Sequence, residues 1–147
     1  RARGLAVSYL LDTNVLSELR RKTPDTAVLE WFARRPASTL YLSVLTFGEL
    51  RKGIEGVLDA KRRMALTDWL ETDLPAFFAG RILPVDAQVA DRWGRLLSAA
   101  GRPLPAIDSL LAACAAQHGL SMVTRNSRDF ADLGLDVINP WVTSSSP

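Results

Sequence analysis

Ala6-Val7-Ser8-Tyr9-Leu10-Leu11 runs directly into Asp12-Thr13-Asn14, and from Val15 to Arg21 the apolar residues take up helical spacing. A short apolar run, then cap-forming residues, then a 3.6-residue period reads as a strand feeding a helix. The alternation recurs along the chain. Asp25 to Arg34 is a second helix with Val28, Trp31 and Phe32 on one face, and Thr39 to Ser43 is a strand bounded by Pro36-Ala37-Ser38. From Leu45 to about Leu58 a helix places Phe47, Leu50, Ile54 and Leu58 along one side. Lys61 to Phe78 continues helical through Met64, Trp69, Leu70 and Leu74, with Pro75 interrupting.

Ile82 to Val85 is a short strand, and Asp86 caps a helix that runs to about Ala100, where Gly101 ends it. After Arg102-Pro103-Leu104-Pro105 a nearly all-apolar helix covers Ala106 to about His118, with Gly119 its stop, and Pro105 could occupy the first helical position, as prolines often do. Ser121 to Thr124 and Val137 to Asn139 complete the strands. Strands alternating with helices predict an α/β fold around a mostly parallel sheet, whose ligand site lies at the carboxyl ends of the strands.

The 147 residues, 48% hydrophobic and 23% charged, suit a single domain spanning 1–147. Residues Thr143 to Pro147 are expected to be a disordered tail, and a start at Arg1 in place of Met suggests trimming. Basic Arg1 to Gly4 is followed by no signal-peptide core, since Ala6 to Leu11 is short and ends in Asp12. The longest apolar run, Ile107 to Ala116, is too short for a bilayer and is broken by Asp108 and Ser109, so no membrane span is expected. Cys114 is the only cysteine and His118 the only histidine. Intrachain disulfides, thiolate zinc sites and two-histidine zinc sites are thereby excluded, and a reducing cytoplasm fits.

Oxygen ligands remain. Asp12, Glu49 and Asp108 each stand at a strand–helix or loop–helix junction, and Asp129 follows Met122-Val123-Thr124-Arg125-Asn126. Converging carboxylates repel, and a fold tolerates them mainly where a divalent cation neutralises them, Mg²⁺ or Mn²⁺ for an all-oxygen set. Each acid also has a plain structural role. Asp12 could be a helix N-cap, as could Thr13 or Asn14. Glu49 lies off the face of Phe47, Leu50 and Ile54 and could be a solvated partner of Lys52, with neighbouring Gly48 hinting at close packing. Asp129 could cap a turn before Phe130. Asp108 is the sharpest signal: it falls too late to be an N-cap and shares a face with Leu111, Ala112 and Ala115. A carboxylate leading a buried apolar face is costly without a cation or strong donors.

Fifteen of the eighteen basic residues are arginine, although net charge is only +2. Clusters at Arg20-Arg21-Lys22, Arg34-Arg35, Arg51-Lys52 and Lys61-Arg62-Arg63 suit a polyanion held by its phosphates, or equally an ordinary solvated surface. His118 reads as a helix C-terminal residue, Cys114 as core, and the four Trp residues as helical core positions and not base-stacking platforms.

Four stretches carry a family resemblance. Leu10-Leu11-Asp12-Thr13-Asn14-Val15-Leu16-Ser17-Glu18-Leu19, Ser43-Val44-Leu45-Thr46-Phe47-Gly48-Glu49-Leu50, Pro105-Ala106-Ile107-Asp108-Ser109-Leu110-Leu111-Ala112 and Val123-Thr124-Arg125-Asn126-Ser127-Arg128-Asp129-Phe130 resemble, in order and spacing, the signature blocks of PIN-domain ribonucleases. Within that family they resemble the VapC/FitB-like toxins of type II toxin–antitoxin pairs. The resemblance implies a three-layer α/β/α sandwich around a parallel sheet of about five strands, usually as a homodimer. It implies Mg²⁺ or Mn²⁺ held by Asp12, Asp108 and Glu49, with Asp129 a fourth catalytic acid and Asn126 and Thr13 orienting ligands or water. One metal, or two roughly 4 Å apart, would activate water on the scissile phosphate of a tRNA or rRNA loop, leaving 5′-phosphate and 3′-hydroxyl ends. Arg125, Arg51 and Lys52 are the expected RNA contacts. A small VapB-like antitoxin would mask the site and bring the pair to DNA. Two other classes stay open, a metal phosphohydrolase acting on DNA or small phosphoesters and a catalytically idle PIN fold that binds RNA or a partner.

Overall fold

The computed structural model describes residues 7–142. The expected tail at 143–147 and the basic start at 1–4 lie outside the described residues. Five strands, β1 (Tyr9–Leu11), β2 (Leu40–Ser43), β3 (Ile82–Leu83), β4 (Ser121–Val123) and β5 (Val137–Ile138), form one sheet in the order β3-β2-β1-β4-β5. Every adjacent pair is parallel, with Tyr9 opposite both Leu40 and Ser121. Between the strands run α1 (Thr13–Leu19), α2 (Thr26–Ala33), α3 (Val44–Glu55), α4 (Ala60–Asp68), α5 (Leu74–Phe77), α6 (Ala87–Ala100), α7 (Ala106–His118) and α8 (Ser127–Phe130).

The strand period of two decides the layers. Leu10 and Met122 point to one face and Leu11 and Val123 to the other, so the central strands β1 and β4 are buried on both sides while the edge strands β3 and β5 are half-buried. Leu11, Leu40, Leu42 and Val123 pack with Val15, Val28, Leu50, Leu66 and Leu74 under α1 to α5. Leu10 and Met122 pack with Val89, Leu111, Cys114 and Phe130 under α6, α7 and α8. This is the three-layer α/β/α sandwich predicted. The α6–α7 contact is close because α7 buries Ala112, Ala113 and Ala115, and Trp93 Nε1 donates to Ser109 Oγ at 2.8 Å across it. Both helices end on glycine in the left-handed region, Gly101 at φ 69° and Gly119 at φ 66°.

Three local expectations are corrected. α3 stops at Glu55, so Leu58 leaves the apolar side and is 96% exposed. Pro75 does not break the helical stretch: a π turn over Trp69–Asp73 carries the Leu74 N–H to the Trp69 carbonyl, and Pro75 sits in the first turn of α5 where a missing N–H costs little. Pro105 is the N-cap of α7 and not its first helical residue. Among the described residues, no helix is long and apolar enough to cross a membrane.

Candidate active site

From β1 the chain steps outward through β2 to β3, then returns to β4 on the opposite flank, which makes the carboxyl ends of β1 and β4 the crevice where such sheets bind ligands. Asp12 follows β1 directly, and its N–H donates to the Val123 carbonyl at 2.9 Å. Capping and cleft-facing roles coincide there. Oδ1 accepts the Thr13 N–H at 2.7 Å as the N-cap of α1, while Oδ2 accepts the hydroxyl of Thr124, fully buried beyond β4, at 2.7 Å. Thr124 Oγ1 in turn accepts the Asn126 N–H at 3.0 Å, and Asn14 joins the two loops by accepting the Arg125 N–H at 3.3 Å.

A cleft of about 580 Å³ opens over these groups, lined by Asp12, Thr13, Glu49, Asp108, Arg125 and Trp141 among others. Glu49 reaches it because α3 turns its Thr46–Glu49 edge toward α1, where the Thr13 hydroxyl donates to Glu49 Oε1. Asp108 reaches it from the first turn of α7. Burial is the largest cause pushing the Asp12 carboxyl above its ordinary 3.8; Thr124 and the Thr13 N–H pull it down, and the charges of Asp108 and Glu49 push it further up. Asp108 is likewise raised, by burial first and then by Asp129 and Glu49. A slightly larger hollow of about 640 Å³ lies at the other end of the sheet around Tyr41, Arg92, His118 and Asp136, but it gathers no cluster of acids.

Asp12, Glu49 and Asp108, drawn from three separate crossovers, therefore share one cleft. Asp129 is exposed on α8 outside its lining, near enough for its charge to act on Asp108. Asp12 Oδ2 is oriented by the Thr124 hydroxyl at 2.7 Å and more weakly by Asn14 Nδ2 at 3.5 Å, while Asn126 lines the cleft and supports Thr124 through its backbone N–H. Arg125 lines the cleft; Arg51 does not, its guanidinium being held by Glu71 at 2.6 Å, and neither does exposed Lys52. Gly48 is exposed, and a Cβ there would meet nothing within 4 Å, so the suspected close packing is absent.

Two cleft residues escaped the reading of the sequence. Glu18 is 4% exposed and accepts the Asp25 N–H at 2.8 Å and Arg21 Nη1 at 3.3 Å. Its place three residues after Val15, on the apolar side of α1, was the available signal, the same one that singled out Asp108. Trp141 was expected on a helical core face; it lies past β5 in a turn and lines the cleft, while Trp31, Trp69 and Trp93 do sit on helices against the core.

The donors of the cleft are all oxygen, and two of its carboxyls are already reluctant to ionise, which fits a hard dication. Among the described residues, no three acidic, histidine or cysteine groups close around a common point. An open set of this kind suits Mg²⁺, which keeps several waters and takes one or two carboxylates.

The PIN-domain family model matches residues 9–135, nearly everything that carries the sheet and cleft. The chain is a PIN domain. The PIN domain here is 40% identical over 135 residues to VapC ribonuclease Y4jK of Sinorhizobium fredii, covering 90% of this chain and 96% of that protein. It is 39% identical to toxin FitB of Neisseria gonorrhoeae, covering 90% of this chain and 97% of the relative. A structure of FitAB bound to a DNA fragment superposes with a TM-score of 0.86 at 34% identity, covering 95% of this chain and 99% of that one.

Proposed function

We propose that this PIN domain, as one structural unit, is an Mg²⁺- or Mn²⁺-dependent endoribonuclease that cleaves exposed loops of tRNA or rRNA and serves as the toxin of a toxin–antitoxin pair. The observation that carries the reading is the convergence of Asp12, Glu49 and Asp108 on one cleft at the switch point of the sheet, with the Asp12 and Asp108 carboxyls raised by burial first and by the neighbouring acids second. The names VapC ribonuclease and toxin FitB, borne by relatives near 40% identity, support the activity and its biological setting.

In this reading Asp12 and Asp108 hold the dication, with Glu49 and Asp129 completing the acidic set. The dication supplies charge neutralisation at the scissile phosphate and lowers the pKa of water. Thr124 and the Thr13 N–H keep both Asp12 oxygens aimed by charge-assisted bonds, so the carboxylate need not reorganise when RNA arrives. Glu49, aligned by the Thr13 hydroxyl, accepts the proton of the attacking water. Arg125 reaches the RNA from the rim, and a single-stranded loop is the substrate whose backbone an open cleft can engage. A VapB-like antitoxin covers the cleft and carries the pair to DNA, and the toxin pairs with itself in the cytoplasm.

Incubating the purified chain with total tRNA and rRNA, with Mg²⁺, with Mn²⁺ and with chelator, tests this. Discrete fragments bearing 5′-phosphate ends, absent with chelator and absent for Asp108→Asn, are expected. Fragments that persist in chelator, or cleavage confined to DNA, refute it.

A further inference from the structure

Trp141 is positioned by its own loop. Its backbone N–H donates to Asn139 Oδ1 at 2.9 Å, Asn139 Nδ2 donates to the Arg125 carbonyl at 3.4 Å, and the Val142 N–H reaches the Asn139 carbonyl at 3.2 Å. Part of the indole packs on the core under α1 to α5, and the half-buried remainder lines the acid cleft. The Arg125 guanidinium lies 5.2 Å from the centre of its ring. Among the described residues, Arg125 makes hydrogen bonds only through its backbone, although four carboxylates, Asp12, Glu18, Glu49 and Asp108, line the same cleft. The guanidinium of Arg21 is engaged by Glu18 and that of Arg51 by Glu71.

We propose that the Arg125–Trp141 pair is the stacking seat for a nucleobase next to the phosphate that enters the acid cleft, which makes Trp141 a base-binding residue. The inference rests on the ribonuclease reading above. A phosphate gains nothing from the π face of an indole, the face over which Arg125 lies, and a cation meant only for phosphate would be served by arginine alone. A guanidinium is planar and weakly hydrated, and unstacked RNA bases settle on such planes and on aromatic rings. Arg125 is exposed, so the pair offers this surface to solvent at the rim. The acids below it repel RNA phosphates until a dication intervenes, so a base-binding step beside them provides affinity that does not depend on neutralising the cleft. Because every base has a π face, the seat tolerates sequence and favours purines by their larger stacking surface.

The test measures binding, not cleavage. In Mg²⁺, the Asp12→Asn chain is titrated into fluorescein-labelled oligoadenylate, oligouridylate and an abasic ribose-phosphate chain of equal length and charge. Oligoadenylate is expected to bind about five- to a hundredfold more tightly than the abasic chain, oligouridylate in between. Adding Trp141→Ala should erase that preference, while adding Trp141→Phe should keep most of it. Equal affinity for adenylate and abasic chains, or a preference that survives Trp141→Ala, overturns the stacking seat and leaves the nuclease reading standing. A chain that binds none of the three probes overturns both. The comparison of probes on the Trp141-containing chain requires no substitution at the seat, so a poorly folding variant does not shelter the proposal.

Discussion

Replacing Thr124 with valine removes one hydroxyl from a fully buried site while nearly conserving volume. That hydroxyl donates to Asp12 Oδ2 at 2.7 Å and accepts the Asn126 N–H at 3.0 Å. A hydrogen bond to a charged group contributes about 1.5–3 kcal/mol, and orphaning an amide that water can reach costs up to about 1 kcal/mol more. A loss of about 2–4 kcal/mol lowers Tm by about 5–15 °C for a chain of this size. Thr124→Ser keeps the donor and loses one buried methyl, about 0.8 kcal/mol. The pH dependence is diagnostic. Folding raises Asp12 above 3.8, so the stability this group contributes is complete below 3.8 and is lost as pH climbs through its higher folded value. Without the Thr124 donor that folded value climbs further, so the valine variant should be most destabilised near neutrality and approach the parent on acidification. In cleavage assays its acid limb should move to higher pH. Melts of the metal-free chain from pH 4 to 8 decide the matter: a Thr124→Val chain whose Tm tracks the parent throughout refutes the orienting role.

Asp12→Asn should lower cleavage by roughly a hundredfold or more while leaving the metal-free Tm equal or higher, since it removes a buried charge that its neighbours oppose. Millimolar Mg²⁺ should raise the Tm of the parent by binding only the folded state, worth about 2.7 kcal/mol at a hundred times Kd, and a shift of equal size in Asp108→Asn would place the ion elsewhere. Arg51→Ala removes a half-exposed pair with Glu71 and should cost under about 1 kcal/mol, with cleavage within about twofold of the parent by gel assay. Burial, aided by the charge of Asp86, pushes the Cys114 thiol up to about 11, so at pH 8 it should react with a disulfide reagent only as fast as the chain opens in urea.

The order of elements was legible because the signals that set it are local. Asp25, Asp86 and Asp12 cap helices within three residues of themselves, Gly101 and Gly119 stop helices by adopting positive φ, and the two-residue alternation at Leu10-Leu11 and Met122-Val123 already encodes a sheet covered on both faces. Asp108 was legible for the same reason, as a charge on an apolar face. Whether Leu58 continues that face or leaves it depends on where α3 stops, and the helix ends at Glu55 with Gly56 as its C-cap before Asp59 caps α4, a break that the apolar spacing alone runs across. Only the tertiary structure decided that Asp12 can cap a helix and face the cleft at once, because its second oxygen is claimed by Thr124, 112 residues away. The same holds for Arg51, drawn off by Glu71 on a distant turn, and for Trp141, brought beside Arg125 by the pairing of β4 with β5. Periodicity reports which face a residue occupies on its own element; which side chains then meet is settled by strand order, and strand order is a property of the whole chain.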